Sequence, residues 1–304
     1  MSTVPATHTA TRFRGVPSPT APTTADADYD AVAARSAALV VDAYSTSFGW
    51  ACRLLGDPVR EHVRAVYALV RVADEIVDDV QADLTTAERD ALLTDLEEEV
   101  ARGVERGRSS NLVVHAFART ARRFAIGPDL VAPFFASMRA DLTVTEHDEA
   151  TFAAYVHGSA EVVGLMCLRV FVAGDDGAYE RLAPGAARLG AAFQKVNFLR
   201  DLAEDVDARG RSYFPGLEVD AFDDRDRDRL LADVDADLRA AAAVIGDLPR
   251  SSRVAVRVAH DLFAELSRRL AATPAAVIRR RRVRVPDLVK ARLVATAIAK
   301  DVWR

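Results

Sequence analysis

The stretch YALVRVADEIVDDV, Tyr67–Val80, decides how the chain is read. Val66, Leu69, Val70, Ala73, Ile76 and Val77 recur at the period of an α-helix, yet Asp74, Glu75, Asp78 and Asp79 crowd into the same helix. Like charges four residues apart destabilise a helix, so the crowding needs a compensating cation or a solvated edge. At 3.6 residues per turn Tyr67, Arg71, Asp74 and Asp78 fall on one stripe, with the apolar residues around it. By itself such a stripe is most simply a solvated edge.

A second stretch changes that balance. In FQKVNFLRDLAEDVDARGRSYFP, Phe193–Pro215, the residues Gln194, Asn197, Asp201 and Asp205 are spaced 3, 4 and 4, again a single polar stripe on an apolar helix, with Glu204 beside it. Two such helices brought face to face would repel, and divalent cations would remove the cost. Hard oxygen donors at this spacing suit Mg²⁺, which keeps waters and bridges to phosphate oxygens. Arg71, Lys195, Arg200 and Arg211 then read as clamps for a diphosphate. A di-iron bundle is a weak rival, because none of the six histidines has a glutamate three positions before it. No G-x-S-x-G, Walker loop or G-x-G-x-x-G is present.

The rest of the 304 residues predicts an all-α protein. Half are hydrophobic, only 15 are glycine, and 40 Lys+Arg against 45 Asp+Glu give a net charge of −5, which argues against general nucleic-acid binding. Cys52 and Cys167 form neither a metal spacing nor a disulfide framework, which fits a reducing cytoplasm. No apolar run reads as a membrane span. Residues 1–25, rich in Thr, Pro and Ala and without a signal peptide's apolar stretch, are expected to be a disordered tail, with residues 26–304 forming one helical domain.

Periodicity predicts roughly ten helices, at 28–48, 58–80, 86–106, 110–125, 129–141, 149–173, 184–207, 226–245, 251–272 and 286–302. Start signals stand at Asp57-Pro58, Thr85–Glu88, Gly127-Pro128 and Thr273-Pro274. The run DAFDDRDRDR, Asp220–Arg229, reads as a solvated loop and helix start.

These residues resemble the squalene/phytoene synthase family of head-to-head prenyl transferases. YALVRVADEIVDD is similar to its first aspartate motif and QKVNFLRDLAEDVDARGRSYFP to its second; YSTSFGWACRLL, FFASMRADL and YVHGSAEVVGLMCL are similar to further segments, in particular of actinobacterial phytoene synthases. The resemblance implies a single-domain all-α isoprenoid synthase bundle around a central apolar cavity. It implies that Asp74 and Asp78 on one wall, and Asp201, Asp205 and Asn197 on the other, hold Mg²⁺, with Mn²⁺ as a substitute. Ser45, Ser47, Tyr67, Arg71, Gln194, Arg200, Arg211 and Tyr213 are the implied substrate-binding set.

Tyr155 and His157 are the candidates for handling a proton, although Glu161 and Gly158 depart from the family's pattern there. Gly164 admits two readings, a prenyl chain approaching the backbone or plain helix packing. Phe48, Phe134, Phe135, Phe152, Leu165, Met166, Phe171, Phe193 and Phe198 are cavity candidates, with ordinary core packing as the rival for each.

The implied reaction is the Mg²⁺-dependent joining of two geranylgeranyl diphosphates to phytoene without NADPH. Farnesyl-using squalene, presqualene diphosphate or dehydrosqualene synthesis is the alternative, and a non-catalytic assembly factor of the same fold a second one. The expected location is cytoplasmic, alongside later carotenoid-pathway enzymes; the basic run Arg279–Arg284 and the helix after it admit three readings, a surface cluster with a terminal core helix, which is the simplest, a peripheral contact at the inner membrane face, and phosphate binding by one of the arginines.

Overall fold

A computed structural model describes the backbone of residues 24–45, 47–78, 83–209 and 213–302, and within these not the side chains of 24–26, 47–48, 203–209 and 301–302. Much of the expected tail lies outside the described residues; α1 begins at Thr24 and runs to Tyr44. Helix α2 is Ser47–Arg53 and α3 is Val59–Asp78. In α3 the residues His62, Val63, Val66, Leu69, Ala73 and Val77 are buried, spaced by one, three or four, while Arg71, Asp74, Glu75 and Asp78 stay partly exposed. The helix therefore forms because its apolar stripe is covered, and the acidic stripe is left at the edge of that cover.

Local chemistry sets the following boundaries. Helix α4, Thr86–Arg106, starts at a capping box in which Thr85 and Glu88 bond each other's backbone, and stops at Gly107 in the left-handed region, φ 76°. Helix α5, Leu112–Phe124, is capped by Asn111, whose Oδ1 accepts from the N–H groups of Val113 and Val114. Helix α6, Pro128–Thr143, has proline at its first position. Helix α7, Glu149–Val156, passes through a π-helical turn, His157–Glu161, into α8, Val162–Val172.

Helix α9 runs from Asp176 to Arg209, 34 residues and about 50 Å long, with Pro184 inside it. Helix α10 is Asp224–Ile245, α11 Arg250–Ala271, α12 Ala275–Ile278 and α13 Asp287–Val302. The acidic-basic run at 220–229 does become a helix start. Asp223 and Asp226 form a capping box, and buried Arg227 bonds Asp224, Asp228 and the Thr273 carbonyl.

Two apolar clusters carry the packing. One joins α3, α4, α5, α6 and α8 through Leu69, Leu93, Phe117, Phe134, Phe135 and Met166. The other joins α9, α10, α11 and α12 through Val196, Leu199, Leu231, Val234, Leu270 and Ile278. Fully burying each large side chain contributes roughly 1.5–3 kcal/mol.

Helix α8 packs on both α3 and α9, and the π turn packs on α6 and α9. Glycine makes these crossings close. A Cβ on Gly158 would lie 2.2 Å from the Pro133 carbonyl oxygen, and one on Gly164 would lie 2.8 Å from that of Ala186. Helix packing is thus the reading of Gly164 that the geometry supports.

The path Glu149–Val172 is long and apolar enough to cross a membrane by length and composition, against the sequence expectation of no such run. Its packing against α3, α6 and α9 gives it a place inside the bundle.

Candidate active site

The first acidic stripe gathers a polar group at the side of α3. Arg71 reaches both Asp74, one turn on, and Glu75. Its guanidinium also lies 4.6 Å from the ring centre of Tyr44, the last residue of α1, a cation–π contact. The Ser45 hydroxyl accepts from the Gly49 N–H at 3.2 Å, capping the start of α2, and hydrogen-bonds the Tyr67 side chain. The structure thus gives Ser45 a capping role beside Tyr67. Burial pushes the Tyr67 phenol above its ordinary pKa, opposed by the Ser45 bond and the Arg71 charge. The side chain of Ser47 lies outside the described residues.

The second stripe lies on α9, with Gln194 and Asn197 half-buried and Asp201 further along. Asp201 is held by two arginines. Arg200 Nε donates to Oδ1 at 2.9 Å, and Arg282 Nε reaches Oδ1 at 2.9 Å. Arg282 comes from the basic run between α12 and α13, 81 positions on, and sequence periodicity gave no hint of it. Arg279 of the same run bonds Asp220 at 2.8 Å. The side chains of Asp205 and Arg211 lie outside the described residues. Lys195 is not beside Asp201. It turns to α10, where Asp237, wholly buried, accepts from it at 2.8 Å and Asp233 also binds it, so it ties α9 to α10 and does not serve as the expected clamp.

A third group surrounds Tyr155. Its hydroxyl donates to both oxygens of Asp141, at 2.9 and 2.7 Å, and the Tyr213 hydroxyl donates to Asp141 Oδ1 at 3.1 Å. Tyr213 stacks on Phe198 with centroids 4.0 Å apart and on His147 with centroids 5.9 Å apart. Burial first, and then the Asp141 charge, push the Tyr155 phenol well above its ordinary pKa, so it stays protonated. Burial pushes the His147 imidazole down, so it stays neutral. Asp141 was missed in the sequence. Its only signal was a lone aspartate closing the apolar helix FFASMRADL.

His157 lies across the π turn from Glu161, with Nδ1 2.9 Å from Oε2, and its side chain is 47% exposed. Among the cavity candidates, Phe134, Phe135 and Met166 are fully buried core, and Phe193 stacks on Phe263 at 3.8 Å. Cys52 and Cys167, distant in sequence, belong to one cluster, and burial pushes both thiols up to about 12.

The donors suit a hard divalent ion. Asn197 Oδ1 is buried with no hydrogen-bond partner among the described residues, one helical turn before Asp201. A buried amide oxygen without a donor is costly and fits a site built for a cation. Among the described residues no three acidic, histidine or cysteine side chains gather as a complete metal group.

The chain is thus an all-α bundle with two acidic stripes and arginines beside them. The squalene/phytoene synthase family model matches residues 41–288, and the chain belongs to that family. It is 29% identical over 278 residues to the phytoene synthase of Mycobacterium tuberculosis, covering 84% of this chain and 87% of that one. It is 30% identical over 245 residues to the phytoene synthase of Rhodobacter capsulatus, covering 75% and 70%. In fold it matches a dehydrosqualene synthase crystal structure with a TM-score of 0.76 at 18% identity, over 91% of this chain and 99% of that one. A squalene synthase from Alicyclobacillus acidocaldarius matches with a TM-score of 0.69 at 20% identity, over 81% and 96%.

Proposed function

We propose that this enzyme joins two geranylgeranyl diphosphates head to head, through prephytoene diphosphate, to phytoene for carotenoid synthesis, with Mg²⁺ and without NADPH. The observation that carries the reading is the near full-length match to curated phytoene synthases. Asp74, Asp78, Asn197, Asp201 and Asp205 would hold the ions. Bound Mg²⁺ supplies neutralisation of a departing diphosphate.

The chain's own residues do the rest. Arg71, Arg200 and Arg211 bind diphosphate oxygens, Arg282 adds a further guanidinium beside Asp201, and Ser45 and Ser47 take the first diphosphate. Tyr67 and Gln194 orient the substrate on the two stripes. The rings of Tyr155, Phe198 and Tyr213 give the developing allylic cation an apolar wall without a nucleophile. Tyr155, protonated and anchored on Asp141, orients and does not accept a proton, which leaves His157 as the candidate acceptor.

A second reading has its own support. The 29% identity over 198 residues to a 4,4'-diapophytoene synthase of Staphylococcus haemolyticus favours a farnesyl substrate. Purified protein is incubated with Mg²⁺ and either diphosphate, without NADPH, and extracts are read for a triene chromophore. The expected result is a C40 product from geranylgeranyl diphosphate, little from farnesyl diphosphate, and none with EDTA. A better yield from farnesyl diphosphate replaces the first reading with the second. No product from either refutes both and favours a non-catalytic role.

A further inference from the structure

Asp141, in the last turn of α6, is only 8% exposed and lies among aromatic rings. One face of α6 grips Tyr155 at both ends. Ser137 Oγ donates to the Tyr155 backbone carbonyl at 3.2 Å, and Asp141, one helical turn on, accepts from the Tyr155 hydroxyl at both its oxygens. The same carboxylate accepts from Tyr213, 72 positions away, just beyond the second acidic stripe. Three parts of the chain thus meet on one carboxylate: α6, the end of α7 and the segment that follows α9.

Two tyrosines held for packing alone need no carboxylate. A buried charge is costly, and an amide or a backbone carbonyl would accept the same hydrogen bonds at less cost. The placement of the charge gives it a use. The Tyr155 and Tyr213 rings have centroids 5.3 Å apart, and Phe198 lies 5.9 Å from the first and 4.0 Å from the second. Ring faces carry negative potential and attract cations. A carboxylate bonded to the hydroxyl ends of two such rings adds its own potential to theirs, where little water screens it. It also commits both phenol oxygens, so that neither swings toward a cation and becomes alkylated.

We propose that Asp141 is a positioning residue of the reaction, fixing the Tyr155 and Tyr213 rings and setting a negative charge behind them for the allylic cations. This rests on the reading of those rings as the wall that the cations meet. The charge favours what forms after each ionisation and leaves the binding of the intact diphosphate alone, so its effect belongs to kcat.

The test is steady-state turnover with Mg²⁺ and whichever of the two prenyl diphosphates the wild type uses better, with the cyclopropylcarbinyl diphosphate intermediate measured beside the final product. Asp141→Asn keeps the shape and removes the charge. It should lower kcat at least about tenfold, change KM by less than about threefold, and raise the share of intermediate released. Tyr213→Phe, which removes a single donor, is the milder variant and should lower kcat about threefold in the same manner. Because Asp141 acts through the phenols, Asp141→Asn with Tyr155→Phe should stay within about threefold of Asp141→Asn alone. Thermal unfolding and far-UV circular dichroism set the folded fraction to which each rate is referred. An Asp141→Asn protein with wild-type kcat per folded molecule, a loss confined to KM, or losses that multiply in the double variant overturns the proposal. A wild type that turns over neither diphosphate removes the functional reading, and this proposal with it.

Discussion

Asp74 and Asp201 share a circumstance. Each carboxylate is partly exposed, and each is charge-balanced by arginine from its own helix. If they hold metal, Asp74→Ala and Asp201→Ala should each lower turnover by at least about a hundredfold. Because such exposed pairs hold little folding energy, stability should change by less than about 1 kcal/mol. Turnover in either variant within tenfold of wild type would remove that aspartate from the metal set. Asn197 gives a sharper contrast, since its Oδ1 is buried and unpartnered. Asn197→Leu should raise metal-free stability by about 1 kcal/mol while lowering turnover, measured by thermal unfolding and assay. A loss of both would make Asn197 a structural residue. At this scale the stripes were legible because a helix's period is fixed, so Arg71 must lie beside Asp74. Arg282 and the pairing of Asp141 with Tyr155 and Tyr213 depend on how distant segments meet, which no local period encodes.

Elements were legible where their caps are local chemistry. The helices after Thr85 and Asp223 begin at capping boxes, and the one after Gly127 begins with proline at its first position. Helix α9 was read as starting at Pro184, yet it starts at Asp176, because a proline on an exposed face costs one hydrogen bond that a long packed helix tolerates. The short helices α2 and α12 were too brief to show a period. The π turn left only an indirect sign, Gly158 inside an otherwise helical stretch. Gly158 now has a physical reason, a Cβ there meeting Ser137 Oγ at 2.1 Å and the Pro133 carbonyl oxygen at 2.2 Å. Gly158→Ala should therefore destabilise by about 1–3 kcal/mol in urea unfolding, because backbone must move. Gly177→Ala is the control, its nearest neighbour being 3.6 Å away in the first turn of α9, and should be neutral or stabilising. Equal effects of the two substitutions would show that the α6 contact is looser than this geometry.

Each half of the molecule buries a neutral histidine, which ties global stability to pH. His147 sits in the tyrosine group of the second half. His62 sits between α3 and α5, its Nδ1 2.9 Å from Thr120 Oγ1 and its ring 4.7 Å from that of Phe124. Burial first, then the charges of Arg123 and Arg119, push its imidazole down to about 4, against an ordinary value of about 6.5. The unfolded chain then binds a proton that the folded chain refuses. The stability from this neutral state is whole above about pH 6.5, falls as pH drops from there to about 4, and levels off below. The full loss is about 3 kcal/mol, of which about 2 kcal/mol should be gone at pH 5. Other groups titrate over the same range, so the informative quantity is a difference. His62→Gln, which keeps an amide to meet Thr120, should be less stable than wild type at pH 7 and lose about 2 kcal/mol less than wild type between pH 7 and pH 5. Urea midpoints at the two pH values measure it. Parallel losses in the two proteins would show that His62 takes up its proton in the folded state as readily as in the unfolded one, and the acid sensitivity would then have to arise elsewhere in the bundle.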